Sequence, residues 1–228
     1  MNETAENPVS VGMTMPRGLF VYLLLYGGMT VIAGVLAFKQ VQLWPTQLAV
    51  EAGIFAFLML VVISSTIAQL YGERMANRLV WWGFLPLAMS AALIGLVMNL
   101  PASPEMLEFR STDLAAFETV LSQTPRIMLA GPAAYIVSLL LNVWIFSRLK
   151  GSSNTSTFGL MIRGAVASAL SQALDSVIFV TLAFYGEFDI TPLLIGQVIA
   201  KVTLSIVLVP FLITGGVKLA RWLDQKQV

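Results

Sequence analysis

Apolar residues fill six long blocks of this chain, roughly 18–38, 47–70, 79–99, 127–147, 159–185 and 190–216. Polar stretches separate them. A helix needs about 20 mostly apolar residues to cross a bilayer, so each block is long enough to be a span. Backbone polar groups in lipid must bond within their own segment, which makes each span a helix. The pattern predicts an all-α, polytopic membrane protein with six transmembrane helices. The first block is read as a retained anchor. Its run exceeds the roughly 7–15 apolar residues of a signal peptide, and five more spans follow. Residues 1–15 read as a disordered polar tail, and 16–223 as a single transmembrane domain.

The one sizeable loop is 100–126, punctuated by Pro101, Pro104 and Pro125. Leu114, Phe117 and Leu121 recur at helical spacing there, with Asp113 and Glu118 between them. Two readings fit: a short amphipathic helix on the membrane interface, or a surface loop with one helical turn.

Composition supports the membrane reading. The chain of 228 residues is 57% hydrophobic and 11% charged, where a soluble domain is nearer a quarter charged. A net charge of +1 without a basic block argues against nucleic-acid binding. The absence of cysteine excludes disulfides and thiolate chemistry. The absence of histidine removes the commonest general base and zinc ligand, so no metal, no cofactor and no enzymatic activity are expected.

The charges also orient the chain. With the N-terminus inside, Arg17, Arg74, Arg78, Arg148, Lys150, Lys218, Arg221 and Lys226 lie on the cytoplasmic side. Only Lys39, Arg110 and Arg126 lie on the other, so the positive-inside rule places both termini in the cytoplasm.

Candidate chemistry lies in the polar residues inside the spans. Span five carries Ser168, Ser171, Gln172, Asp175 and Phe179 within a sector of about 100°. A charge in hydrocarbon is costly, and intramembrane carboxylates are functional by default. Asp175, the only carboxylate well inside the spans on this reading, is therefore a solute-binding candidate. The serines and Gln172 can contribute to the same site or simply bond a neighbouring helix. Together these groups suit a planar ligand with an N–H edge and a carbonyl. Span six places Gln197, Lys201 and Ser205 on one face. Lys201 either pairs with Asp175 or meets a ligand carbonyl. Arg163 either joins the site or snorkels to the headgroups. Span four carries Tyr135, Ser138 and Asn142, and span two Ser64, Ser65 and Gln69. Trp81, Trp82 and Trp222 read as interfacial anchors; Trp144 is ambiguous.

The pattern Ser138-x-x-x-Asn142-x-x-Ile145-Phe146 recurs 33 residues later as Ser171-x-x-x-Asp175-x-x-Ile178-Phe179. Spans four and five run in opposite directions, so the match raises an internal pseudo-two-fold of the kind transporters use. Two short matches in apolar sequence also arise by chance.

Four stretches carry a family likeness: LYGERMAN (70–77), PRIMLAGPAAYIVSLLLNVWIFSRLK (125–150), RGAVASALSQALDSVIF (163–179) and KVTLSIVLVP (201–210). With Pro125-Arg126, Ala134-Tyr135, Arg163, Gln172, Asp175, Lys201 and Pro210 in place, the chain resembles the VUT family of queuosine precursor transporters. The resemblance implies a six-helix bacterial inner-membrane carrier for 7-deazaguanine bases such as the 7-cyano and 7-aminomethyl compounds. It also implies that Asp175 accepts the two adjacent N–H donors of a guanine-like edge. Gln172 and Lys201 would address the carbonyl, and Phe179 or Tyr135 would stack on the ring. Where the family usually has acidic residues, this chain has Ser65, Gln69 and Asn142. Those departures point to a neutral base or a different substrate.

The expected partners are thus a small planar solute and the bilayer; a homo-oligomer is left open. Three other readings compete with a carrier. One is the membrane-embedded binding subunit of a vitamin-type importer, which would need a separate energy-coupling module because no GxxxxGK[ST] loop occurs here. Another is an intramembrane enzyme built on a Ser-Lys pair. The third is a structural subunit without a ligand.

Overall fold

A computed structural model describes residues 15–148 and 157–225, with backbone alone described at 73, 124, 139, 140, 142–148 and 157–168. Eight helices and one hairpin are found among the described residues. In chain order they are α1 (Arg17–Leu36), β1 (Gln40–Gln42), β2 (Ala49–Glu51), α2 (Ile54–Tyr71), α3 (Glu73–Met98), α4 (Pro104–Phe109), α5 (Ser111–Arg148), α6 (Thr157–Phe184), α7 (Thr191–Val207) and α8 (Val209–Gln225).

The chain is an all-α membrane protein apart from the hairpin. Among the described residues, α1, α2 and Arg74–Met98 of α3 are each long and apolar enough to cross a bilayer. The α7–α8 pair passes the same test jointly, as one span bent by 51°. Helices α5 and α6, which the six-span reading takes as two more, run 38 and 28 residues. The predicted tail 1–15 falls almost wholly outside the described residues.

Three boundaries differ from the sequence expectation. The block 47–70 does not begin as helix: Ala49–Glu51 is a strand, and helix starts at Ile54. Main-chain pairing with β1, in the register Gln40↔Glu51, Val41↔Val50 and Gln42↔Ala49, captures this stretch instead. The block 190–216 is interrupted at Leu208. Pro210 explains the break, because proline lacks an N–H and its ring clashes with the carbonyl four residues earlier. In the loop 100–126, α4 forms first, and Leu114, Phe117 and Leu121 belong to the opening turns of α5. The amphipathic segment is thus continuous with span four, and Pro125 and Pro132 lie within one long helix.

Two packed cores hold the bundle. One joins Ile127, Ala130 and Ala134 of α5 with Val180, Ala183 and Phe184 of α6 and Leu193 of α7. The other joins Leu19, Tyr22 and Tyr26 of α1 with Ile63 and Ile67 of α2, Leu79 of α3 and Ala220 of α8. Large apolar side chains such as Leu24, Met89, Leu93, Ile206 and Phe211 point outward, as a lipid-facing surface requires. Trp81, Trp82 and Trp222 are also exposed, which fits their reading as anchors.

At the far end of α1 from the hairpin, Asp224 of α8 accepts from the Gly18 N–H and from the Tyr71 hydroxyl, both at 2.7 Å. A carboxylate at the first turn of α1 satisfies an orphan donor and complements the helix dipole. At the hairpin end, Arg126 of α5 donates to the carbonyls of Leu182 and Tyr185 and to the Glu187 carboxylate. It thereby caps the end of α6.

The end of β2 is buried, while β1 and the turn stay largely exposed. Neighbouring residues of a strand point to opposite faces, yet Val50 and Glu51 are both buried. Strand β2 lies against α7, where Gly196 allows the closest approach. A Cβ on Gly196 would collide with the Ala49 carbonyl oxygen. Only glycine leaves room for that contact.

Candidate functional site

A cavity opens between the two cores, lined by α1, α2, α3, α5, α6 and α7 together with the end of β2. About 110 Å³ of it is open to the centres of water-sized molecules, against roughly 10–15 Å³ for a single water. Most of its wall is apolar: Ala33, Leu60, Leu87, Ile127 and Met128 are examples. Aromatic rings come from Phe57, Phe84, Tyr135 and Phe179. Three charged groups, Glu51, Asp175 and Lys201, share this wall. An apolar cleft with a few convergent polar groups has the makeup of a small-molecule site.

The charges are deeply buried. Glu51 is 3% exposed, Asp175 4% and Lys201 5%. Lys201 Nζ donates to Asp175 Oδ2 at 2.5 Å, joining α7 to α6. The ammonium also stands 4.4 Å from the centre of the Phe57 ring and 5.6 Å from that of Phe179, within cation–π range. Asp175 Oδ1 lies 3.3 Å from the Ser138 hydroxyl, which is also 3.0 Å from the Tyr135 carbonyl. Ser138 has one proton to give, so it serves one acceptor at a time.

Glu51 is the residue that sequence reasoning missed. Gln197 Nε2 donates to Glu51 Oε1 at 2.6 Å, and the Glu51 N–H donates to Gln197 Oε1 at 3.3 Å. The amides of Gly53 and Ile54, at the start of α2, lie near the carboxylate. Oε2 is nonetheless buried without a hydrogen bond among the described residues. A Cβ on Gly53 would sit 2.6 Å from Oε2 and 2.5 Å from the Ala33 carbonyl; glycine keeps that corner of the cavity open. Asp175 is therefore not the only buried carboxylate. Glu51 stands within the block 47–70, and an acidic residue there was the available signal. Taking that block as helix from its first residue put Glu51 at the edge of a span, where a charge is unremarkable.

The other expected site residues divide. Tyr135, Asp175, Phe179 and Lys201 meet at the cavity. Ser171 is buried but is not on the cavity wall. Gln172 is half-buried and also off the wall, and its Oε1 is buried without a hydrogen-bond partner among the described residues. Gln69 is exposed, near the end of α2 remote from the hairpin, and lies off the cavity wall. The side chains of Asn142, Ser168 and Arg163 lie outside the described residues, and with Asn142 so does half of the proposed pseudo-two-fold.

The sequence profile of the family described as "Putative vitamin uptake transporter" matches residues 51–215. That match begins at Glu51 and includes Asp175 and Lys201. The chain is also similar to a protein of Bacillus subtilis (strain 168) named "Probable queuosine precursor transporter". The two are 27% identical over 198 residues, covering 85% of this chain and 81% of the relative. No solved structure matches the chain.

Proposed function

This chain belongs to the vitamin uptake transporter family, and from that premise we propose that it carries a queuosine precursor, a 7-deazaguanine-type base, across the bacterial inner membrane. The observation behind a carrier is the cavity: aromatic and apolar walls with Glu51, Asp175 and Lys201 set into them. The substrate class comes from the name of the Bacillus subtilis relative. A flat heterocycle with N–H donors and a carbonyl on its edge suits such a cavity. Its ring takes the apolar walls, and its edge takes the charged groups.

The chain acts on this reading as a six-span carrier with both termini in the cytoplasm, and not as an enzyme. Lys201, the residue a Ser-Lys mechanism would need, is joined instead to the Asp175 carboxylate.

Expression in a host that lacks its own carrier and cannot make the precursor tests the substrate. Supplying a 7-deazaguanine base should restore queuosine in the tRNA. No restoration with either the cyano or the aminomethyl base, at verified membrane expression, would sink the substrate assignment.

A further inference from the structure

We propose that Glu51, rather than Asp175, is the group that accepts the N–H edge of the transported base. The inference rests on the transport reading above and assigns its recognition chemistry to a different residue. Asp175 already has a cation: the Lys201 ammonium is 2.5 Å from its Oδ2. That pair is neutral as a unit. Among the described residues, Glu51 has the uncharged amide of Gln197 as its side-chain partner and the Gly53 and Ile54 amides beside it, and its Oε2 makes no hydrogen bond within 3.5 Å. With the one ammonium on the wall paired to Asp175, Glu51 is left without a salt-bridge cation among the described residues.

A buried carboxylate oxygen without a donor is costly, and a ligand that brings the donor removes that cost. The carboxylate is also held in place before the ligand arrives. Gln197, 0% exposed, grips both its Oε1 and its main-chain N–H. Such preorganisation reduces the ordering that binding must otherwise supply. A guanine-like edge offers two adjacent N–H donors, and a carboxylate has lone pairs for both even with Gln197 bound. Asp175 becomes a positioning residue that holds the Lys201 ammonium away from Glu51.

Binding of 7-aminomethyl- and 7-cyano-7-deazaguanine to the purified full chain tests this, beside an analogue lacking the exocyclic amine. Glu51→Gln keeps an acceptor for Gln197 but turns the free position into a donor. It should weaken both bases roughly 10- to 150-fold, the range for a hydrogen bond to a charged group. It should also erase the preference for the amine-bearing base over its analogue, which a merely structural role would not do. Wild-type-like affinity with the preference intact would overturn the Glu51 assignment and leave the transport reading standing. No binding of either base by the wild type would overturn both. If Glu51→Gln does not fold, Glu51→Asp decides, since it keeps the charge but withdraws it by one methylene. Weakened binding at a wild-type melting temperature supports the assignment, and unchanged binding overturns it.

Discussion

Glu51 on β2 and Gln197 on α7 are joined twice, once through the Glu51 side chain at 2.6 Å and once through its main-chain N–H at 3.3 Å. One amide therefore fixes both the strand and its carboxylate. The pairing spans 146 residues of sequence and ties the hairpin to the helix that carries Lys201. Replacing Gln197 with leucine, of similar size, removes both bonds and leaves the carboxylate with fewer partners. The expected loss is about 1–3 kcal/mol, read as a fall in melting temperature of the purified protein. An unchanged melt would show that the clamp contributes nothing to the fold.

Asp175 and Lys201 form a buried ion pair, and such pairs are most sensitive to the loss of one partner. Asp175→Asn should destabilise the protein by about 3–5 kcal/mol, because Lys201 is left buried without its counter-ion. The freed ammonium has one other carboxylate on the cavity wall, Glu51. Base affinity should therefore fall along with stability. Adding Lys201→Met removes the stranded charge, and the double variant should recover most of both. A single variant with wild-type stability would mean that the pair does not hold the fold.

Gly196 makes a separate prediction about the hairpin. Alanine there drives a methyl into the Ala49 carbonyl oxygen, and backbone cannot yield as a side-chain tip does. Strand and helix must move apart, at a cost of roughly 1–3 kcal/mol for an overpacked contact. Melting temperature should drop, and base binding should weaken because Glu51 moves with its strand. Full stability and full binding in Gly196→Ala would show that β2 does not lie against α7.

The topology is open to a direct check. Reporter fusions at 152–156 and at the C-terminus should both signal cytoplasm, since the basic residues concentrate on that side. A periplasmic signal from either fusion would invert or break the six-span arrangement.

Much of the architecture was legible in the order of residues. Hydrocarbon imposes one simple rule, a helix of about 20 apolar residues, so the helical blocks at 18–38, 79–99 and 159–185 match α1, α3 and α6 to within a few residues at most boundaries. Pro210 offered a local reason for the break between α7 and α8. The likeness of four motifs to the VUT family pointed to the family that the profile match over 51–215 shows. Asp175 and Lys201 stood out because a charge in a span is rare.

Tertiary structure alone decided which residues meet at the cavity. Strand pairing is non-local, and nothing near Ala49–Glu51 announces that Gln40–Gln42 will take its hydrogen bonds. Helical periodicity ranks faces within one helix; it does not say which faces meet. It grouped Ser171 and Gln172 with Asp175, yet those two lie off the cavity wall while Ser138 and Phe57 approach from other helices. Gln69 had the chemistry of a binding residue but turned outward. Glu51 had it too, and the fold brought it in against Gln197 and toward Lys201. A residue's own chemistry is written in its sequence position, but its neighbours in a cavity are set by how distant segments pack.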